Sequence, residues 1–143
     1  MTNDVLITVS GLHLSNESEQ NTLEITTRGT YYNRNGSEYI IYDEYLDDIA
    51  NVPTNNMLKI APDSVVLRKK GFINTTMTFK ESTDTVATYT TIFGTLLFGI
   101  STSDIYISRK DDSIELNINY SLSVNNDDLS NCSMNVKIVT AQA

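Results

Sequence analysis

A carboxylate and a guanidinium are the side chains of this sequence best placed for chemistry inside a β-structure. Strand alternation puts Ile40, Tyr42 and Glu44 on one face, so Glu44 ends an otherwise apolar and aromatic row. Arg68 shares its face with Val66 in the same way. If both rows point inward, the two charges must pair or bind a polar ligand group, because an unpaired buried charge is costly. The alternative is that Glu44 faces solvent at a strand end while Tyr42 packs on the outside.

The other reactive residue types lack the partners that catalysis or metal binding needs. His13 is the only histidine, and no Gly-x-Ser-x-Gly elbow supplies a nucleophile for it to activate. Cys132 is the only cysteine and has no basic neighbour in the sequence to activate its thiol. One cysteine and one histidine are too few for zinc, and no glycine-rich phosphate loop is present. The sequence therefore predicts no catalytic residue, no metal and no cofactor.

Length and charge narrow the class of protein. The chain has 143 residues, of which 40% are hydrophobic, and we expect residues 1–143 to form a single domain. The formal net charge of −8 argues against a nucleic-acid partner, because phosphate contacts need clustered lysine and arginine. No run of about 18 apolar residues and no signal peptide is visible, so we expect a cytoplasmic protein without a membrane partner.

The elements that must position these side chains are strands, because the dominant apolar period is two. From Ile114 to Val124, six apolar residues alternate with five polar ones, as in a strand with one wet and one dry face. Asn35-Gly36 is the strongest turn signal, since a type I′ hairpin needs positive φ at both central residues. We expect a loop from Asp43 to Val52. Strands are predicted near residues 3–14, 21–34, 37–46, 56–61, 64–70, 73–80, 85–93, 95–108, 113–124 and 131–141.

Consecutive long strands joined by short turns predict an all-β fold. The arrangement that best removes exposed strand edges is a single antiparallel up-and-down β-barrel of about 8–10 strands. A sandwich is the alternative for a chain with this many strands. Five of the eight tyrosines lie between Arg28 and Tyr45, around the Asn35-Gly36 turn. We interpret two or three of them as packing of that hairpin, and expect Tyr31 and Tyr42 to line the interior.

Several patterns, in this order, resemble one family. They are Tyr39-x-x-Tyr42-x-Glu44, Arg68 before a glycine turn, Met77-x-Phe79, Tyr89-x-Thr91-x-x-Gly94 followed by Leu96-x-Phe98-x-Ile100-x-Thr102, and Leu116-x-Ile118-x-Tyr120-x-Leu122. The chain is similar along nearly its whole length to the YwiB-like family of small bacterial proteins of unknown function. The resemblance implies a lipocalin-like, calycin-type barrel. It implies no reaction, because a fold does not determine a function.

The leading hypothesis is a barrel that binds a small, partly apolar ligand in its lumen. It predicts a dry cavity of several hundred cubic ångströms, the usual size of a ligand pocket. A lumen filled by the same side chains would contradict it. Glu44 and Arg68 would orient the ligand. The lumen would be lined by Tyr42, Met77, Phe79, Tyr89, Phe98 and Tyr120.

Two other classes of function stay open. In the first, the barrel is solidly packed and its outer face binds a protein. The apolar stretch TIFGTLLFGI, residues 91–100, would favour this if its side chains lie outside. In the second, Glu44 is a general base helped by Arg68 or a tyrosine hydroxyl. The sequence favours a non-enzymatic role, and leaves both a monomer and a homodimer open.

Overall fold

The computed structural model describes residues 3–11, 24–44, 53–124 and 127–141. These residues form ten strands and contain no helix, so none of them belongs to a helix long and apolar enough to cross a membrane. The strands are β1 (Asp4–Ser10), β2 (Glu24–Arg34), β3 (Ser37–Glu44), β4 (Thr54–Ile60), β5 (Val65–Lys70), β6 (Asn74–Phe79), β7 (Thr83–Thr91), β8 (Gly94–Lys110), β9 (Ser113–Val124) and β10 (Asp127–Thr140).

The strands close into one antiparallel barrel in chain order, with β1 pairing to β10 to complete it. The predicted all-β, up-and-down barrel is thereby confirmed. The strand predictions differ from the structure mainly at their ends; β10, for example, begins at Asp127 rather than at residue 131. Of the loop expected from Asp43 to Val52, residues 43 and 44 still belong to β3, and residues 45–52 lie outside the described part of the chain.

Alternating strand direction sends the loops to two opposite ends. We call upper the end that carries the β5–β6 and β7–β8 turns, and lower the end that carries the β2–β3 and β8–β9 turns. At the lower end, Asn35 and Gly36 have φ angles of 54° and 83°, which fits the predicted type I′ turn. Tyr32 and Tyr39 stack across this hairpin with ring centroids 5.0 Å apart, so these two tyrosines do pin it as predicted.

Inward side chains fill the middle of the barrel. Met77 and Phe79 are 0% exposed and Phe98 is 1% exposed. The Phe79 and Tyr120 rings meet edge to face with centroids 5.0 Å apart. A void large enough for water would expose the side chains that line it, so no such space lies against these residues. Around these three residues the side chains expected to line a dry cavity pack against one another, and a cavity elsewhere in the lumen stays a prediction.

A bulge in β8 changes which residues point inward. Between Thr102 and Asp104 the pairing with β9 shifts by one residue. Above the shift the buried side chains are even-numbered, as at Ile100 and Thr102; below it, odd-numbered Ile105 and Ile107 pack against the core. An extra residue in one strand reverses the alternation of all residues that follow it. The shift therefore carries Arg109 to the inner side of the lower end.

Candidate functional site at the upper end of the barrel

A buried ion pair lies inside the upper end. Lys69 Nζ donates to Glu44 Oε1 and to Asn56 Oδ1, at 2.8 Å each. Asn56 Nδ2 donates to Glu44 Oε1 at 3.4 Å and to the carbonyl of Thr54 at 3.2 Å. The side chains of Lys69 and Glu44 are only 7% and 11% exposed. The pair satisfies the rule that a charge taken out of water needs a charged partner and further hydrogen bonds.

Strand register brings these polar side chains together. Tyr42 is paired with Asn56, Asn56 with Lys69, Lys69 with Thr75, and Thr75 with Tyr89. Paired residues on neighbouring strands point to the same face, so these five residues form one inward row across β3 to β7. Glu44 and its partner Thr54 lie one step closer to the upper end. We call these seven residues the polar row.

Within the described residues, two hydroxyl groups of the polar row lack a hydrogen-bond partner. Thr54 is 0% exposed and Thr75 is 6% exposed, and the Oγ1 atoms of both are buried without a partner in the described part of the chain. An unsatisfied buried hydroxyl costs about 1–3 kcal/mol. The polar row therefore has two hydrogen-bonding groups that a small molecule or a water could satisfy.

The tyrosines of the polar row stay protonated. Burial, and secondarily the Glu44 carboxylate, raise the pKa of Tyr42 and of Tyr89 above the usual value. Burial disfavours the charged phenolate, and a nearby negative charge disfavours it further. At neutral pH these two phenols can donate or accept hydrogen bonds but cannot act as bases.

The structure corrects the placement of Arg68. Its side chain lies exposed on the outer face and donates to Met57 Sδ at 3.8 Å, while Leu67 and Lys69 on either side are buried. The inward row of β5 is Val65, Leu67 and Lys69, not the row of Val66 and Arg68. Lys69 thus occupies the place expected for Arg68. The sequence did contain a signal for this assignment. The apolar residues Val65 and Leu67 alternate along β5, and Lys69 is the next residue on their face.

The other predicted site residues all point inward, as expected. Tyr42, Met77, Phe79, Phe98 and Tyr120 are buried members of the core, and Tyr89 is half-buried against it. Tyr89 packs against Phe98 with ring centroids 5.3 Å apart. A role for these residues in ligand binding stays a prediction. His13 and Tyr45 lie outside the described residues.

A second charged cluster lies at the lower end and was missed in the sequence. Glu38 is 8% exposed; its Oε2 accepts a 2.9 Å hydrogen bond from the Tyr31 hydroxyl, and its Oε1 forms an ion pair with Arg109. Burial and the Glu38 carboxylate raise the pKa of Tyr31. The two ends of the inward row of β3 therefore carry one glutamate each, both paired. Arg109 could not be assigned to the interior without knowledge of the β8 bulge.

The β7–β8 hairpin exposes large apolar side chains at the upper end. Its turn residues Ile92 and Phe93 are 75% and 87% exposed, and Val86, Leu96 and Leu97 are 69%, 44% and 43% exposed. The turn is ordered by a 3.0 Å hydrogen bond from the Phe93 amide to Thr91 Oγ1. We call Ile92 and Phe93 the apolar tip. A two-residue hairpin turn normally carries asparagine, aspartate or glycine, so nothing in the local geometry calls for these two side chains.

A groove runs along the outer wall beside the same hairpin. It has a volume of about 560 Å³. A Cβ atom at Gly99 would lie 2.5 Å from Ser123 Oγ, so glycine at this position makes room for the serine that forms the neighbouring wall. The groove is lined by Asp84, Thr85, Val86, Gly99, Ile100, Ser101, Ser121, Leu122, Ser123 and Asn131.

Apart from Asp84, which lines the groove, the ranges that form the wall around the tip and groove are free of charge. Neither residues 85–103 nor residues 116–124 contain an acidic or basic residue, although the whole chain carries a net charge of −8. These ranges cover most of β7, the upper half of β8 and most of β9. We call them the uncharged sector. Within the described residues, no group of three or more histidine, cysteine, aspartate or glutamate side chains could hold a metal ion.

Comparison with known proteins assigns the chain to a family. Residues 7–136 match the family model described as "Domain of unknown function (DUF1934)". The chain belongs to the DUF1934 family. A similar structure is described as "Crystal structure of ywiB protein from Bacillus subtilis", with a TM-score of 0.81 and 19% sequence identity over 98% of this chain and 93% of that one. This similarity confirms the fold and the YwiB-like resemblance. No curated protein matches the chain in sequence.

Proposed function

We propose that this DUF1934 barrel is a protein-interaction module that binds its partner through the β7–β8 hairpin. The observation that carries the proposal is the apolar tip, where Ile92 and Phe93 stand 75% and 87% exposed in an ordered turn. A few well-packed residues at the centre of an interface supply most of its binding energy, and aromatic residues such as phenylalanine are enriched in interfaces. Full burial of one such side chain contributes about 1.5–3 kcal/mol.

The packed interior supports an outer binding surface over a lumenal one. The side chains expected to line a cavity are the core itself, with Met77 and Phe79 completely buried. The stretch of residues 91–100, in contrast, places Ile92, Phe93 and Leu97 outside. Both observations favour the interaction hypothesis among those that the sequence left open.

Site-specific photo-crosslinking tests the proposal. A photo-reactive phenylalanine analogue replaces Phe93 in one variant and Tyr106, a 65% exposed aromatic residue in the lower half of β8, in a matched control. Irradiation in the native host, followed by mass spectrometry of the adducts, should give a defined protein adduct at position 93 and none at position 106. Equal labelling at both positions, or no adduct at position 93, would refute the hairpin as the binding element.

A second candidate function rests on the polar row. The hydroxyls of Thr54 and Thr75, which have no hydrogen-bond partner among the described residues, lie beside the buried Glu44–Lys69 pair and support binding of a small polar molecule at the upper end. Native mass spectrometry of protein purified from its host tests this candidate. We expect an extra mass that is lost on denaturation and is absent from a Thr75→Val variant. A bare protein mass in the wild type would argue against a retained ligand.

A further inference from the structure

We infer that the partner of the β7–β8 hairpin is a second copy of this chain, in a two-fold symmetric dimer formed through the uncharged sector. The inference rests on the proposed function, since it names the partner of the same surface. It is carried by the juxtaposition of three features on one outer wall: an apolar tip, a groove, and the exposed Leu97 between them.

The charge distribution favours a second copy at this place. Two chains that each carry a net charge of −8 repel one another, and the repulsion is smallest where neither copy brings a charge into the contact. The uncharged sector comes close to such a surface, because residues 85–103 and 116–124 contain no charged residue and Asp84 alone is charged among the residues that line the groove. It also contains Val86 and Leu97 on the outer wall and Ile92 and Phe93 at the tip, which supply the apolar area that an interface core needs. A basic partner would meet a single acidic side chain, Asp84, among the residues that line the groove.

A contact between the apolar tip of one copy and the groove of the other would make the wall self-complementary. A two-fold interface uses the same patch on both copies, so a projection on the patch must meet a depression on the same patch. The apolar tip is the projection, and the groove lined by Val86, Gly99 and Ser101 is the depression. The two lie about 20 Å apart along the hairpin, at the usual rise of a strand. An axis close to Leu97 places the tip of each copy at the groove of the other.

Leu97 gives the sharpest test, because a residue near a two-fold axis faces its own copy. Its side chain lies on the outer wall and is 43% exposed, so a charged replacement is tolerated by the fold. Leu97→Glu and Leu97→Lys variants each bring two like charges together across the axis. A mixture of the two variants brings opposite charges together. Val139, also apolar and 39% exposed but on β10, provides matched Val139→Glu and Val139→Lys controls.

The experiment is sedimentation equilibrium of the full chain at protein concentrations up to about 1 mM, where even a weak complex populates its dimer. We expect wild-type protein and both Val139 variants to approach twice the 16.0 kDa chain mass, and each Leu97 variant alone to remain at 16.0 kDa. An equimolar mixture of the two Leu97 variants should recover the doubled mass. Circular dichroism confirms that every variant is folded.

Two outcomes would overturn the inference. The first is a wild-type protein that stays monomeric over the whole concentration range. The second is a result in which both Leu97 variants still dimerise, or in which an equimolar mixture of the two variants stays monomeric. In either case the contact does not lie at Leu97. A monomeric protein that still forms an adduct with a different protein at position 93 would retain the interaction function and reject the second copy as its partner.

Discussion

Lys69 and Glu44 lie 25 residues apart in the sequence, yet Lys69 Nζ is 2.8 Å from Glu44 Oε1 inside the upper end of the barrel. Both side chains are almost completely buried, and Asn56 completes their hydrogen bonds. The pair is electrically neutral. It closes the upper part of the inward row of β3, as Glu38 and Arg109 close the lower part. The barrel therefore carries a charged pair at each end of an apolar core.

Removing one partner of the upper pair should be costly. In a Lys69→Met variant the Glu44 carboxylate stays buried without its cation, and we expect the free energy of unfolding to fall by about 3 kcal/mol. Urea denaturation measures this loss. The adjacent Arg68→Met variant is the control, because Arg68 is exposed on the outer wall and its loss should change stability by about 0.5 kcal/mol or less. Similar losses in both variants would contradict the burial of Lys69 and the exposure of Arg68, and a larger loss in Arg68→Met would show that the two are on the opposite faces.

The contrast between Lys69 and Arg68 shows what the sequence could predict. The period of two and the Asn35-Gly36 turn predict strands, antiparallel pairing and a barrel, because these signals are local. They put Glu44 on the same strand face as Tyr42, but they left open whether that face points inward or to solvent. The phase of β5 was misassigned, since one residue decides which face a strand buries. Because the predicted inward face of β5 was off by one residue, exposed Arg68 was assigned to the site in place of buried Lys69.

Other parts of the site could not be predicted because they depend on distant structure. Arg109 reaches Glu38 only because the β8 bulge reverses the alternation, and a bulge has no firm signal in this sequence. In residues 91–100 the alternation of Leu96, Phe98 and Ile100 put Phe98 on an inward face, but the sequence left open which other apolar side chains lie outside. Only the fold reveals that Phe93 is exposed.

Truncation of Phe79 should lower the free energy of unfolding much more if the barrel is packed than if it is open. Its side chain is 0% exposed and meets Tyr120 edge to face. A Phe79→Ala substitution removes these contacts and leaves a cavity, so we expect a loss of about 3–5 kcal/mol in the free energy of unfolding. Chemical denaturation measures it. A loss below about 1 kcal/mol would instead indicate that Phe79 borders an existing void.

Alkaline pH should weaken the fold through its buried tyrosines. Burial raises the pKa of Tyr42 above 10.0 in the folded state, whereas the unfolded chain ionises near that value. Below pH 10 the folded and unfolded states bind the same tyrosine protons. Above it the unfolded chain loses protons first, so stability falls as pH rises towards the folded pKa. Denaturation between pH 8 and pH 11.5 should show this fall, and a Tyr42→Phe variant should show a shallower one. Tyr106→Phe, at an exposed tyrosine, is the control and should show the same fall as the wild type. If the fall in stability with pH is equally steep in Tyr42→Phe, the raised pKa of Tyr42 is contradicted.

Replacing Phe93 should leave the fold intact while changing the surface. Because 87% of this side chain is already exposed, a Phe93→Ser substitution removes little buried area, and we expect stability to change by about 0.5 kcal/mol or less. Retention on a hydrophobic-interaction column should fall clearly, since the apolar tip is one of the largest exposed apolar groups of the hairpin. The same substitution at Phe98, which is 1% exposed, provides the contrast and should destabilise strongly. A Phe93→Ser variant as unstable as Phe98→Ser would mean that the tip packs against the protein itself and is not available to a partner.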